Sequence, residues 1–206
     1  MFSVANMTAI LFVIFFIGLG FMIWIDGKKT YIVAPKYNHK NGDQDTSGEN
    51  ASAEFDATEK TGSISVKAAV EGSGMASAWS ELGYEYENTE EQTIKMIVDL
   101  KVGFQFEFES SNDTAKVNAI VATCMNDECV TMAERTLPVA DKQSLPKMGA
   151  RIEKSQRHVI DLEPGEKFTV VVKLSARVDG VDSGRNEANV SATLEEIAYR
   201  PEVHVK

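Results

Sequence analysis

The sequence predicts a mainly β protein in which an N-terminal transmembrane α-helix precedes an antiparallel β-sandwich. Three observations carry that reading. The stretch Val4–Ile25 is 22 residues without a charged side chain; as a helix it would extend about 33 Å against a hydrocarbon core of about 30 Å. The stretch "TIKMIVDLKVGFQFEFES" places Ile94, Met96, Val98, Leu100, Val102, Phe104, Phe106 and Phe108 at every second position, the period of a half-buried strand. A second run, "KFTVVVKLSARV", does the same with Phe168, Val170, Val172, Leu174, Ala176 and Val178.

The first element, 1–27, is expected to stay on the protein. A cleaved secretory signal carries a basic start, a shorter apolar stretch and small residues at the cut. Here no Lys or Arg precedes the apolar run, which ends in the bulky "FMIWIDGKK". Trp24, Lys28 and Lys29 stand where aromatic rings and cations meet lipid headgroups. Gly18 and Gly20 each disfavour a helix by about 1 kcal/mol relative to Ala. Small residues also let a second helix approach closely, so these two are the expected helix-packing positions. The partners implied are the lipid bilayer and other protein subunits or further copies of the chain.

Two rules disagree about the side of the membrane. Basic residues follow the span (Lys28, Lys29, Lys36, Lys40), which would keep the large domain cytoplasmic. Against this, the only cysteines form a close pair, Cys124 and Cys129, and four Asn-x-Ser/Thr sequons begin at Asn6, Asn50, Asn112 and Asn189. Both features suit an oxidising, extracytoplasmic location, which is the expectation for the β-domain of this single-pass protein.

Residues 28–60 read as linker and loop, with Pro35 followed by the polar "NHKNGDQDTSGENASAE". Within it, Asp43, Asp45 and Ser47 fall at positions 1, 3 and 5 of a calcium-loop pattern, Gly48 at position 6 and Glu54 at position 12. These four oxygen-bearing residues are the candidate metal ligands, with calcium the possible cofactor. Asn50 stands where that pattern has an apolar residue, and the flanks do not read as helices.

The β-domain is expected over 61–206. "GSISVKAAVE" is a strand and "GSGMASA" a loop. The long run from Ile94 should bend or bulge at Gly103. Pro164 and Gly165 fit the centre of a tight turn before the second alternating run. "AKVNAIVATC", "CVTMAE", "RHVIDL" and "ANVSATL" add strands, making about eight. In "CMNDEC" four turn-forming residues separate the cysteines, so a hairpin would bring Cys124 opposite Cys129 in disulfide range.

Composition excludes some functions. All 21 basic and 31 acidic residues lie after residue 25, giving that portion the whole formal charge of −10. Such an acidic domain is a poor ligand for nucleic acid, whose phosphates need clustered Lys and Arg. The three histidines, His39, His158 and His204, sit in no metalloprotease, CxxC or phosphate-loop context. "SLPK" gives Ser144-x-x-Lys147, but Pro146 blocks the helical turn that would set the lysine beneath the serine. No catalytic residue or enzyme activity is therefore expected.

The segment "DLEPGEKFTVVVKL" is similar to the turn and strand of extracytoplasmic sandwich modules, and the chain resembles an immunoglobulin-like or jelly-roll-like sandwich on one membrane helix. That resemblance implies a non-catalytic accessory or structural subunit of a cell-envelope or membrane complex. The uncharged start "MFSVANMTAILFV" gives a weaker similarity to archaeal pilin- and archaellin-type filament subunits, whose apolar helix packs in the filament core. A membrane-tethered ligand- or calcium-binding module is the third expectation.

Overall fold

A computed structural model describes residues 23–26, 29–33, 37–110, 115–126, 128–137, 150–181 and 184–203. It contains twelve strands: β1 (Ile23–Asp26), β2 (Lys29–Val33), β3 (His39–Ser47), β4 (Ala51–Thr58), β5 (Ser63–Glu71), β6 (Gly74–Glu87), β7 (Ile94–Ser110), β8 (Lys116–Met125), β9 (Glu128–Leu137), β10 (Ile152–Leu162), β11 (Lys167–Gly180) and β12 (Arg185–Val203). They form two antiparallel sheets. The first runs β4-β5-β12-β7-β10, with the β1–β2 hairpin continuing beside the second half of β12; the other runs β3-β6-β11-β8-β9. Except for β8 and β9, successive strands from β3 to β12 either cross between the sheets or, at β4–β5, form a hairpin within one.

The core follows from the period of two. On β7 every residue of the apolar register from Ile94 to Phe108 is buried, and on β11 Phe168, Val170, Val172, Leu174, Ala176 and Val178 are buried opposite them. Along the centre Phe104 meets Phe106 edge-on at 5.8 Å between ring centroids, and Phe106 stacks on Phe108 at 6.0 Å. Arg135 of β9 points its guanidinium over Phe106 at 5.5 Å, which uses the negative face of the ring.

The expected break in β7 falls on its neighbour. Gly103 keeps β7 in register with β10, while β12 carries the bulge: Leu194 pairs with Val102 and Glu196 with Lys101, leaving Glu195 as the extra residue. Gly103 serves another purpose, because a Cβ there would run into the guanidinium of Arg151, which lies across it. At the bulge β12 also changes partner. β5 accompanies it to Thr193, Gly62 accepts the N–H of Leu194, and β2 takes over at Ala198 and Tyr199.

The region 28–60 is not a linker in the described residues, since β2, β3 and β4 lie in it, and the sandwich begins at β3 rather than at residue 61. β3 hid from the sequence because it is an edge strand, exposed over most of its length, and so needs no apolar alternation. "GSGMASA" is likewise the start of β6, not a loop. Its small residues Ala76 and Ala78 are buried in the narrow space between the sheets. Of the expected helix 1–27, the described part, Ile23–Asp26, is strand β1, where Trp24 pairs with Tyr31 and Asp26 with Lys29. Residues 1–22, including Gly18 and Gly20, and Lys28 lie outside the described residues. Among the described residues no helix is long and apolar enough to cross a membrane.

Asn88 locks the end of the sandwich where two connections meet. It is fully buried, and its Nδ2 donates to the carbonyls of Gln92, Leu162 and Glu163 at 3.0, 3.0 and 3.1 Å. Its Oδ1 accepts the N–H of Glu90. The Pro164–Gly165 turn sits against it, with Gly165 at φ 77° as the second central residue of a type II turn requires.

Candidate functional site

The strongest concave feature built from chemistry-bearing side chains lies on the outer face of the second sheet. Its origin is Gly83, in the middle of the long strand β6. A Cβ at Gly83 would collide with the carbonyl of Val170 on β11, so the two backbones approach closely and one place on the sheet face has no side chain. The row through it reads His39, Gly83, Val171, Cys124, Cys129 across β3, β6, β11, β8 and β9. The next row adds Glu81 and Lys173. The resulting hollow, of about 390 Å³, has Val171 and the Cys124–Cys129 bridge as its apolar floor and wall and His39, Glu81, Lys173, Thr169 and Asn126 as a polar rim.

The rim is organised by one carboxylate. Glu81 lies 3.1 Å from His39 Nε2 and 3.9 Å from Lys173 Nζ. An ionised carboxylate only accepts, so His39 donates from Nε2 and its Nδ1 is left as the acceptor in the neutral ring. Lys173 also stands over the ring of Trp79 at 4.1 Å. Asn126, at φ 52°, clamps Thr169 by paired bonds: its N–H donates to Thr169 O at 2.8 Å and its Oδ1 accepts Thr169 N–H at 2.9 Å. The arrangement offers hydrogen-bonding groups around an apolar floor. Among the described residues no hydroxyl or thiol is hydrogen-bonded to the His39 imidazole, whose partner is Glu81; the hydroxyl–imidazole contact of Thr123 and His158, 3.2 Å, is inside the sandwich where both are buried. Burial there holds the His158 imidazole below its ordinary pKa.

The sequence-predicted disulfide is present: Cys124 and Cys129 are register partners, 4.0 Å apart at Cα, and bonded. The candidate calcium ligands do not come together. Asp43, Asp45 and Ser47 lie in a straight row along β3, about 7 Å apart per two residues. They share the outer face of the second sheet with their partners Trp79, Ser77 and Met75. Glu54 is on β4, opposite Lys67, on the outer face of the other sheet. An extended chain cannot curl its oxygens around one ion, and among the described residues no group of three His, Cys, Asp or Glu could hold a metal. The His39–Glu81–Lys173 cluster was invisible in the sequence because its members come from three separated strands with no fixed spacing.

No family model matches the chain, and no curated protein matches it. Among solved structures, the enzymatically active domain of bacteriophage CBA120 tailspike protein 4 is similar at 12% identity, covering 79% of this chain and 19% of that one, with a TM-score of 0.26. The infectious bursal disease virus Gt strain structure gives 10% identity, 87% and 39% coverage, and a TM-score of 0.22. The chain spans less than half the length of either.

Proposed function

We propose that this protein is a non-catalytic, membrane-anchored structural or accessory subunit of a cell-envelope or membrane complex, acting through protein contacts made by its sandwich. The observation that carries the reading is the junction between the apolar segment and the domain. The strand that ends the apolar segment, β1, pairs with β2, and β2 is hydrogen-bonded to β12 in the first sheet. A domain attached in this way is held in a set orientation by whatever holds the N-terminal segment. The Cys124–Cys129 disulfide favours a domain outside the cytoplasm. The jelly-roll form of the sandwich, rather than the immunoglobulin-like one, is favoured by the order β5-β12-β7-β10 facing β6-β11-β8-β9, which is that of two interlocked Greek keys.

A filament subunit with the apolar helix in its core is the second reading, and the short junction suits it equally. Protease protection on intact cells, combined with electron micrographs of the detergent extract, tests both. Digestion of the domain from outside, with detergent-dependent small particles, is the expected result. Filaments of regular width would favour the second reading, and protection of the domain until lysis would overturn the extracytoplasmic placement.

A further inference from the structure

Among the described residues, apart from the β1–β2 hairpin, the two sheets end in four edge strands: β3, β4, β9 and β10. An unpaired edge is a template for another strand unless something on it prevents pairing. Three of the four carry such a device. β9 has a bulge at Met132 and turns Arg135 inward. β10 turns Lys154 inward, where its ammonium donates to the carbonyl of Met132 and ties the two edges together. β3 turns Lys40, Gly42 and Gln44 inward, opposite Leu82, Ser80 and Ala78.

β4 has none of these. Its eight residues, "ASAEFDAT", hold no Lys, Arg, Pro or Gly, and its pairing with β5 runs from Ala51 to Thr58 without a bulge. Ala51, Ala53, Phe55 and Ala57 face inward opposite Val70, Ala68, Val66 and Ile64. Phe55 is nonetheless 41% exposed, since its ring lies against Gly42 at the open side of the sandwich. Together with Lys40, Asn41, Asp56 and Ala57 these two residues line a groove of about 260 Å³ between β3 and β4. The outward face of β4 carries Glu54 and Asp56, neither of which makes an ion pair among the described residues.

The backbone is poised in the same direction. Glu71 N–H donates to Asn50 O at 3.1 Å. By the two-residue alternation of an antiparallel ladder, the N–H groups of Ala51, Ala53, Phe55 and Ala57 then point away from β5.

We propose that β4 is a strand-docking edge for a partner protein's extended segment in which apolar residues alternate with Lys or Arg. The apolar side chains would enter the groove and cover Phe55, the cations would meet Glu54 and Asp56, and the partner's carbonyls would accept from the free β4 amides. A second copy of β4 is a poor occupant, because pairing two such strands sets Glu54 and Asp56 against like charges. The inference rests on the sandwich alone and stands or falls separately from membrane anchoring.

The test uses the full-length chain in detergent and, as probe, a synthetic peptide of alternating valine and lysine with the eight-residue length of β4. Residue-resolved amide exchange should show new protection at Ala53, Phe55 and Ala57, the amides β5 does not already protect. A peptide of the same composition with its valines and lysines in two blocks should not produce that pattern. Charge reversal in the double variant Glu54→Lys, Asp56→Lys, checked by an unchanged melting curve, should weaken the alternating peptide by about tenfold or more. Protection confined to β3, β9 or β10, equal binding of both peptides, or an unaltered affinity in the charge-reversed variant would each overturn the proposal. Concentration-dependent dimers that protect β4 without peptide would overturn the identity of the occupant.

Discussion

The carboxylate of Glu195, the bulge residue that β12 inserts between the partners of Val102 and Lys101, lies 2.9 Å from the ammonium of Lys101 on the neighbouring strand β7. The Arg151 guanidinium, lying across Gly103, reaches the same carboxylate from the other side. The side chain of the bulge residue thus meets two cations at the surface, Lys101 and Arg151. The bulge shifts the phase of β12 by one: Ala188, Val190, Ala192 and Leu194 are buried before it, and Ile197 after it.

Deleting Glu195 and replacing it should therefore have different consequences. Glu195→Ala keeps the extra residue and loses only an exposed pair of ion bridges, so its urea midpoint should stay close to the parent's. Deletion removes the phase shift and forces either Leu194 or Ile197 out of the core, costing about 3 kcal/mol or more. Equal urea midpoints for the two variants would mean that the bulge is not what sets the register.

Phe106→Ala should cost about 3–5 kcal/mol, the range for emptying a fully packed aromatic site. The ring is 3% exposed and sits between Phe104 and Phe108. The loss also leaves Arg135 without the ring it covers. A denaturation midpoint like the parent's would contradict the packing.

Asn88→Asp should be at least as damaging as Asn88→Ala. The alanine variant leaves acceptors unmatched at the turn, about 1–3 kcal/mol for a buried group. The aspartate variant aims a carboxylate oxygen at the carbonyls of Gln92, Leu162 and Glu163, where an amide now donates. Thermal melts of the two side by side decide it, and an aspartate variant more stable than the alanine one would refute the donor role.

His158 makes stability pH-dependent. Burial lowers its folded pKa from the ordinary value of about 6.5. As pH falls, the unfolded chain therefore takes up the proton first. The contribution is fully present above about 6.5 and declines below it, until the folded imidazole also protonates. Relative to His158→Gln, the parent should lose unfolding free energy between about pH 7 and pH 5. Parallel stability curves across that interval would rule it out.

How much could be read in advance depended on burial. β7 and β11 are buried on one face along their length, so their alternation spelled them out. The Pro164–Gly165 turn and the Cys124–Cys129 hairpin were legible because only a few residue types serve those geometries. β3 was illegible because solvent reaches most of its side chains and nothing constrains their polarity. The end of β12 was obscured by Glu195, which breaks the period where the strand itself continues. The hollow at Gly83 needed the sheet order, since only the register sets residues 39, 81 and 173 side by side.

The way β1 and β2 meet β12 has a mechanical consequence. The chain enters β1 at Ile23, whose partner in the hairpin is Ile32, and leaves β2 at Val33. Tension arriving through residue 22 and resisted by the sandwich is therefore applied at the open end of that hairpin. It strains the Ile23–Ile32 rung first, then Trp24–Tyr31, and so on toward the turn, one rung at a time rather than all in parallel. A ladder pulled in this zipper fashion yields at lower force than one pulled in shear. Under such a load the hairpin would open before the longer pairing of β12 with β7.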